Sequence, residues 1–502
     1  MHPPLPPLIQ ALLEPQRYPD PASRVELVET HISWVLLAGA FAYKIKKPVT
    51  LPFLDFSTLT LRETYCEIEF RLNRRFAPAL YLGVIAISGT PENPQLAGNG
   101  AAIEFAVKMR RFDASARLDR LCARGALTPE HLGQLAQTIV TFHRDAALAP
   151  AESNYGAPAE ILTPVLDNFK DLLALLSGPP WQSRLGALAA WSRTEFQRLQ
   201  PLFVARKVAG RVRECHGDLH LGNLALIDGR VTLFDCIEFN EAFRWIDVAS
   251  EIAFTYVDLL DHHQPGLAGW FLNEWLSDGG DFEAVPLLRF YAAYRALVRA
   301  KVAAIRASQA QDEQREAQGY LALTEGIVSP PRPRLIITHG LSGCGKTRAS
   351  TRLLLDDPSA TTLRLRSDVE RKRLFGLAPQ DHSDSAVDSG IYQADARQRT
   401  YRRLLDLARQ QLAAGWSTIV DAAFLRREER AAFQALAAEV GVALFILAPL
   451  ASPAQLRERI LERLKKGSDA SEATLAVLDQ QMASIEPLDV EETRHLLPFP
   501  AP

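Results

Sequence analysis

Arg334-Leu-Ile-Ile-Thr-His339, followed at once by Gly340-Leu-Ser-Gly-Cys-Gly-Lys346-Thr347, is the stretch that decides the fold of the second half of this chain. The first six residues read as a short apolar strand, and the next eight have the spacing G-x-x-x-x-G-K-S/T of a phosphate loop. Such a loop needs glycines so that the backbone of Gly340, Ser342, Gly343, Cys344 and Gly345 can wrap with its N–H groups inward. The helix that follows aims its positive end at the same anion. Lys346 then reaches the β and γ phosphates of a nucleotide, and Thr347 offers a hydroxyl to magnesium.

Outward from that loop, strands and helices alternate. Residues 361–366, 417–421 and 442–448 read as strands, each followed by a helix, which is the mark of a parallel sheet with crossover helices. Asp368, in Ser367-Asp-Val-Glu-Arg371, stands at a strand's carboxyl end, where an acceptor hydroxyl is oriented; the bland alternative is a helix cap. Arg371, three residues on along a helix, falls on the same side and suits an anionic group of a substrate. Asp421 ends the strand begun by Ser417 and is placed to hold magnesium through water. Arg459 and Arg463 share one face of a helix opened by Ser452-Pro453, an arrangement that suits a lid closing over phosphates; for Arg463 an exposed salt bridge is the alternative.

The pieces GLSGCGKT, SDVER and the strand-ending aspartate of VDAAFLRREER resemble the P-loop kinase group that includes polynucleotide kinase, zeta-toxin-type kinases and gluconate-kinase-like enzymes. The likeness runs over about 334 to 482. It implies that Asp368 is the base, that Lys346 and Thr347 bind ATP and Mg2+, and that Arg371 contacts the acceptor.

A second constellation lies upstream, in His216-Gly-Asp218-Leu-His220-Leu-Gly-Asn223 and the strand Arg230-Val-Thr-Leu-Phe234 that delivers Asp235. Phosphoryl transfer needs a group to orient the attacking hydroxyl, hard oxygen ligands for a metal, and a cation on the phosphates that stay behind. Asp218 suits the first task, and Asn223 and Asp235 the second. Lys44, in the lysine-bearing strand Tyr43-Lys-Ile-Lys-Lys47, suits the third. On a helix expected over about 60–77, Tyr65, Ile68, Leu72 and Phe76 share a face with Glu69, which places Glu69 inward to pair with Lys44; Glu67 is the fallback. Lys46 or Lys47 is expected to point to solvent, as a charge run normally does.

This segment, from 25 to about 260, resembles the aminoglycoside phosphotransferase and protein-kinase-like fold, with HGDLHLGN and LFD matching that family's catalytic loop and metal-binding aspartate. The likeness implies Asp218 as catalytic base, Asn223 and Asp235 as magnesium ligands, and Asp247 as a structural aspartate bracing the loop. Where related kinases place a glycine-rich loop over the phosphates, this chain has Thr30-His-Ile-Ser33 and then Ala38-Gly-Ala40. Arg295 and Arg299, on a helix over 288–306, fit either acceptor recognition or a snorkelling surface face, the latter being the ordinary reading.

Length and composition accommodate both devices. A chain of 502 residues exceeds what one core usually organises, and 47% apolar with 23% charged residues is ordinary for a globular protein. The prolines at 330, 331 and 333 mark a seam. The expected organisation is α/β in two domains: a bilobal protein-kinase-like α+β fold over 1–327, a proline-rich linker over 328–334, and a P-loop kinase with parallel sheet and flanking helices over 335–502. That order resembles a bacterial family in which an aminoglycoside phosphotransferase-like domain is fused to an ATP-binding kinase domain. A net charge of −3 spreads no field that draws the whole molecule to nucleic acid or an anionic membrane. The longest apolar run, 32–43, is too short to span a bilayer, and the start of the chain lacks the layout of an export signal. Five scattered cysteines without metal-type spacing fit a reducing cytoplasm. The sequence therefore predicts a bifunctional ATP- and Mg2+-dependent kinase acting on small-molecule or nucleotide hydroxyls, with a nucleic-acid end possible for the C-terminal half. The alternative is that one half only senses nucleotide.

Overall fold

A computed structural model of the chain describes residues 4–51, 54–176, 178–310, 314–381, 393–466 and 473–498. Contacts divide it into two compact units: Met1–Leu127, Thr141–Ile161 and Pro201–Asp258 form the first, and Thr128–Val140, Leu162–Gln200 and Leu259–Pro502 the second.

In the first unit a six-stranded antiparallel sheet runs in the order Val25–Glu29, Ser33–Ala38, Phe41–Lys46, Ala102–Arg110, Tyr81–Thr90, Asn93–Leu96 among the described residues. Its strands alternate, so Phe41–Lys46 sends Tyr43 and Ile45 into one core with Leu36, Ile87 and Ala106. Lys44 and Lys46 leave on the opposite face. Helix Leu59–Asn73 is capped by Thr58, whose hydroxyl accepts the Leu61 N–H. It ends at Asn73, short of the expected residue 77; Ala77 itself precedes Pro78, which disfavours helical backbone at that site. The loop holding Asp218 leads into a hairpin, Leu224–Ile227 with Arg230–Leu233. Its two-residue turn, Asp228-Gly229, has positive φ at both positions, the geometry that matches strand twist.

A strand, Trp245–Asp247, pairs with Val212–Glu214, and helices Val248–Asp261, Pro265–Gly279, Val285–Ala310 and Arg315–Val328 follow. Pro265 opens one of these helices, and Gly280, left-handed at φ 68°, closes it.

The second unit contains a four-stranded parallel sheet in the order Thr362–Arg366, Ser417–Asp421, Arg334–Thr338, Ala443–Leu447. The register sets Asp421 beside Arg366, so the carboxyl ends of the strands open onto the same crevice as the loop that follows Thr338. Crossover helices Lys346–Leu355, Ser367–Leu374, Ala394–Ala413 and Arg427–Val440 cover the sheet, and Ile336, Ala349, Leu354, Ile419 and Leu447 make a core between. Arg295 and Arg299 do not lie on a snorkelling surface face. Arg295 is buried against the Tyr294 ring, and Arg299 donates to Tyr320 Oη, because helix Arg315–Val328 packs over their helix. The five cysteines are unpaired and buried, and among the described residues no helix is long and apolar enough to cross a membrane.

Candidate active sites

In the first unit Lys44 Nζ lies 2.9 Å from Glu69 Oε1 and also donates to Asp235 Oδ1. Glu69 rather than Glu67 is the partner, as the helix face predicts. Burial pulls the Lys44 ammonium downward, but Asp235, Glu69 and Glu238 together hold it well above the ordinary lysine value. Lys46 does not point to solvent: it is fully buried, donates to Glu69 Oε2 at 2.7 Å and pairs with Glu238. The reason is the strand period, which sends residues 44 and 46 inward together, where the two carboxylates compensate both. Burial favours the neutral form of Glu69, and Lys44 and Lys46 outweigh it, taking its carboxyl down to about 2. Lys47 is the residue left at the rim, paired with Glu29 at 2.6 Å.

The loop from His216 to Asn223 is shaped by its own side chains. Gly217 has φ 88°, and a Cβ there would meet the Phe243 carbonyl oxygen at 2.7 Å, so this position demands glycine. Asn223 Nδ2 donates to the Asp218 carbonyl at 2.9 Å and to Asp218 Oδ2 at 3.1 Å. That commits the amide nitrogen to Asp218 and leaves Oδ1 as the donor atom for a cation. His220 Nδ1 accepts the Gly222 N–H at 3.0 Å, which puts the proton of the neutral ring on Nε2, 3.4 Å from Asp218 Oδ2. Asp235 itself sits at φ 62°, in the left-handed region that aspartate enters more readily than most non-glycine residues; its N–H donates to Tyr81 Oη at 3.0 Å.

The brace behind this loop is not Asp247. Its carboxylate is taken by Arg206, with both bonds at 2.7 Å, and by the Ala249 N–H. Helix Val248–Asp261 instead holds the loop with three polar side chains at i, i+4 and i+7. Glu251 Oε1 accepts the His216 and Gly217 N–H groups, Thr255 Oγ1 donates to Leu219 O at 2.6 Å, and Asp258 Oδ2 accepts Leu221 N–H at 2.8 Å. The other oxygen of Glu251 lies 2.6 Å from His143 Nε2. Burial lifts the Glu251 carboxyl, but His143, His216 and the Gly217 N–H outweigh it and carry it down to about 2. His143, Cys215 and Glu251 bring their ligating atoms within 4.8 Å of one another, yet the Glu251 oxygens are already engaged, so the cluster serves the loop. Glu251, Thr255 and Asp258 at helical spacing on a largely apolar helix were the available signal.

In the second unit a cleft of about 1450 Å³ is lined by Gly345, Lys346, Thr347, Asp368, Arg371 and Asp421 among others. Gly340, Gly343 and Gly345 all take positive φ, as the wrapped loop requires. Lys346 Nζ bonds the Gly340 and Leu341 carbonyls at 2.8 and 2.9 Å. Arg371 Nη1 lies 3.1 Å from Asp368 Oδ1, so cation and candidate base stand together at the cleft wall. Arg459 reaches the Gly343 carbonyl at 3.3 Å, and Arg463 bonds Ala473 O at 2.9 Å. Asp421 is buried, with Oδ2 3.2 Å from Ser350 Oγ. One side chain gave no sequence signal: Gln481 Oε1 accepts the Ser342 N–H of the phosphate loop at 2.8 Å. In both sites the candidate metal donors are a few hard oxygens, from Asn223 and Asp235 in one and Thr347 and Asp421 in the other. Such sets suit Mg2+ and leave positions for water and phosphate.

A family model described as an AAA domain matches residues 335–488. Proteins of Mycobacterium tuberculosis and Mycobacterium bovis named as uncharacterized are 29% identical to this chain over 460 residues, covering 91% of it and 90% of each relative. Among solved structures, a choline/ethanolamine kinase family protein from Mesorhizobium loti is 13% identical, with a TM-score of 0.40, over 62% of this chain and 90% of that one. Amicoumacin kinase in complex with AMP-PNP, Ca2+ and Ami is 12% identical, with a TM-score of 0.41, over 64% of this chain and 92% of that one. The APS kinase of Mycobacterium tuberculosis in complex with AMPPNP and APS is 24% identical, with a TM-score of 0.23, over 29% of this chain and 78% of that one.

Proposed function

We propose that this chain is an ATP-dependent phosphotransferase with two nucleotide sites, each moving the γ-phosphate to a hydroxyl of its own small-molecule acceptor. The observation that carries the reading is Lys44 Nζ bonded to both Glu69 and Asp235, on the sheet of the unit that also holds Asp218 and Asn223. A lysine so placed grips the non-transferred phosphates, Asp218 orients the attacking hydroxyl, and Asn223 and Asp235 hold Mg2+. In the second site Lys346 and the loop N–H groups hold the phosphates, Thr347 and Asp421 face the metal, and Arg459 and Arg463 close over the transferring group. There Asp368 receives the hydroxyl proton beside Arg371. Mg2+ bound at these residues would neutralise the charge that develops on the phosphate oxygens. Arg371 favours an anionic acceptor for this half, and a nucleic-acid end is the alternative acceptor.

Calorimetry of the full chain with ATP and Mg2+ tests the pairing. Two binding events are expected, with Lys346→Ala removing one and Asp235→Asn weakening the other. A single event that Lys346→Ala abolishes outright defeats the two-site reading.

A further inference from the structure

Helix Pro265–Gly279 lies outside the residues matched by the AAA domain, yet it packs against the phosphate-loop helix and the outer strand of the parallel sheet. The approach is close. A Cβ on Gly266 would sit 2.0 Å from the Leu355 carbonyl oxygen, at the end of the helix that Lys346 begins, so only glycine fits. The following turns of the helix grip two residues of the outer strand, Thr362 and Arg364. Asn273 Oδ1 accepts the Arg364 N–H at 2.6 Å, and its Nδ2 donates to Thr362 O at 2.9 Å, where a neighbouring strand's backbone would otherwise pair. The Arg364 guanidinium lies 5.5 Å from the Trp270 ring centre and 3.8 Å from Glu274 Oε1. Trp270, Asn273 and Glu274 stand at i, i+3 and i+4, on one helix face.

The grip continues into the nucleotide site. Arg364 Nη1 donates to Thr351 Oγ1 at 2.7 Å and to Ser350 Oγ at 3.3 Å. Ser350 Oγ is in turn 3.0 Å from Thr347 O and 3.2 Å from Asp421 Oδ2. Arginine only donates, and a hydroxyl has a single proton, so Ser350 accepts from Arg364 and passes its own proton onward. Both possible acceptors, Asp421 and the Thr347 carbonyl, belong to the two residues read as facing magnesium. A cation as thoroughly buried as Arg364 is costly, and burial brings its guanidinium down to about 10.

We propose that helix Pro265–Gly279 is a working part of the C-terminal nucleotide site: by fixing Arg364 it sets, through Ser350, the orientation of Asp421 and hence the magnesium demand of nucleotide binding. This rests on the reading of Asp421 as the carboxylate that faces the metal. Arg364, Asn273 and Glu274 are positioning residues that never touch the nucleotide.

The test is calorimetric titration of the full chain with ATP at stepped Mg2+ concentrations, in an Asp235→Asn background that weakens the first site. Ser350→Ala and Arg364→Lys should each raise the half-saturating Mg2+ roughly 10-fold, and Glu274→Gln by less, while affinity for metal-free ATP stays unchanged. Lys346→Ala tells the two failures apart. If it leaves binding intact, the reading of the loop as a nucleotide site fails. If it removes binding while Ser350→Ala and Arg364→Lys keep the wild-type Mg2+ dependence, the role of the helix is overturned and the site survives. Equal loss of metal-free and metal-bound affinity also overturns it, since that marks a structural role. Ser350→Ala removes one hydroxyl and decides the matter should Arg364→Lys not fold.

Discussion

Lys44 stands between two carboxylates, whereas Lys346 leans on carbonyl oxygens of its own loop. The first site is an ion network inside the fold. Its cation is compensated before any ligand arrives, and its geometry is inseparable from the packing of helix Leu59–Asn73 on the sheet. The second site carries its positive potential on glycine-rich backbone, on Arg371, Arg459 and Arg463 around the cleft, and on Lys346, whose partners among the described residues are the Gly340 and Leu341 carbonyls and the Cys344 thiol. Charge bound into a core is rigid and costly to disturb; charge borne on a loop is exchangeable for a phosphate. On the proposed reading, the same chemistry is prepared in two ways, one through stability and one through binding.

The sharpest way to break this comparison is at the two candidate bases. Asp218→Ala and Asp368→Ala should each lower γ-phosphate transfer by about 10²–10⁴-fold, with each variant erasing one product from a metabolite and oligonucleotide panel and sparing the other. If either variant keeps full transfer of every product, that half carries no chemistry of its own and the sensing alternative gains.

A smaller effect separates the two lysine environments. Glu69→Ala leaves Lys44 and Lys46 facing each other in a buried pocket, and removing one partner of such a network typically costs 3–5 kcal/mol, roughly the scale expected here in chemical denaturation. Lys346→Ala should abolish binding at its site yet change folding stability by no more than about 0.5 kcal/mol, as substitutions away from buried networks do. Equal destabilisation by both variants would erase the distinction between a compensated cation and an exchangeable one.

How much of this was legible in the sequence follows the same division. The phosphate loop was readable because its chemistry is local: spacing alone sets the glycines, Lys346 and Thr347. The Lys44–Glu69 pair was readable because helical and strand periods fix which faces meet. The Lys46–Glu238 pair was not, since 192 residues separate the partners and no local pattern links them. Glu251, Thr255 and Asp258 act on backbone groups, which every residue presents alike, so the sequence marks the donors and acceptors on the helix but not their targets. Arg364 lies in a short strand pattern that gives no sign of its role. Its burial depends on Trp270, Asn273 and Glu274, which belong to a stretch with no motif of its own.

The smallest expected effect concerns acid. Glu251 has its folded pKa depressed from the usual 4.5 to about 2, so it titrates at lower pH in the folded chain than in the unfolded one. A depressed carboxyl stabilises the fold fully above the unfolded value, and that contribution drains away as pH falls from about 4.5 towards 2. At pH 4 the loss for one such group is only about 1 kcal/mol, too little to read from the wild type alone. Glu251→Gln supplies the reference, because an amide still accepts from the His216 and Gly217 N–H groups but has no proton to take up in this range. Urea denaturation at pH 7 and at pH 4 should therefore show the wild type losing about 1 kcal/mol more than Glu251→Gln between the two conditions. Equal losses would mean that the Glu251 carboxyl is not held ionised by His143 and the loop, and the first site would then resemble the second in drawing little of its order from buried charge.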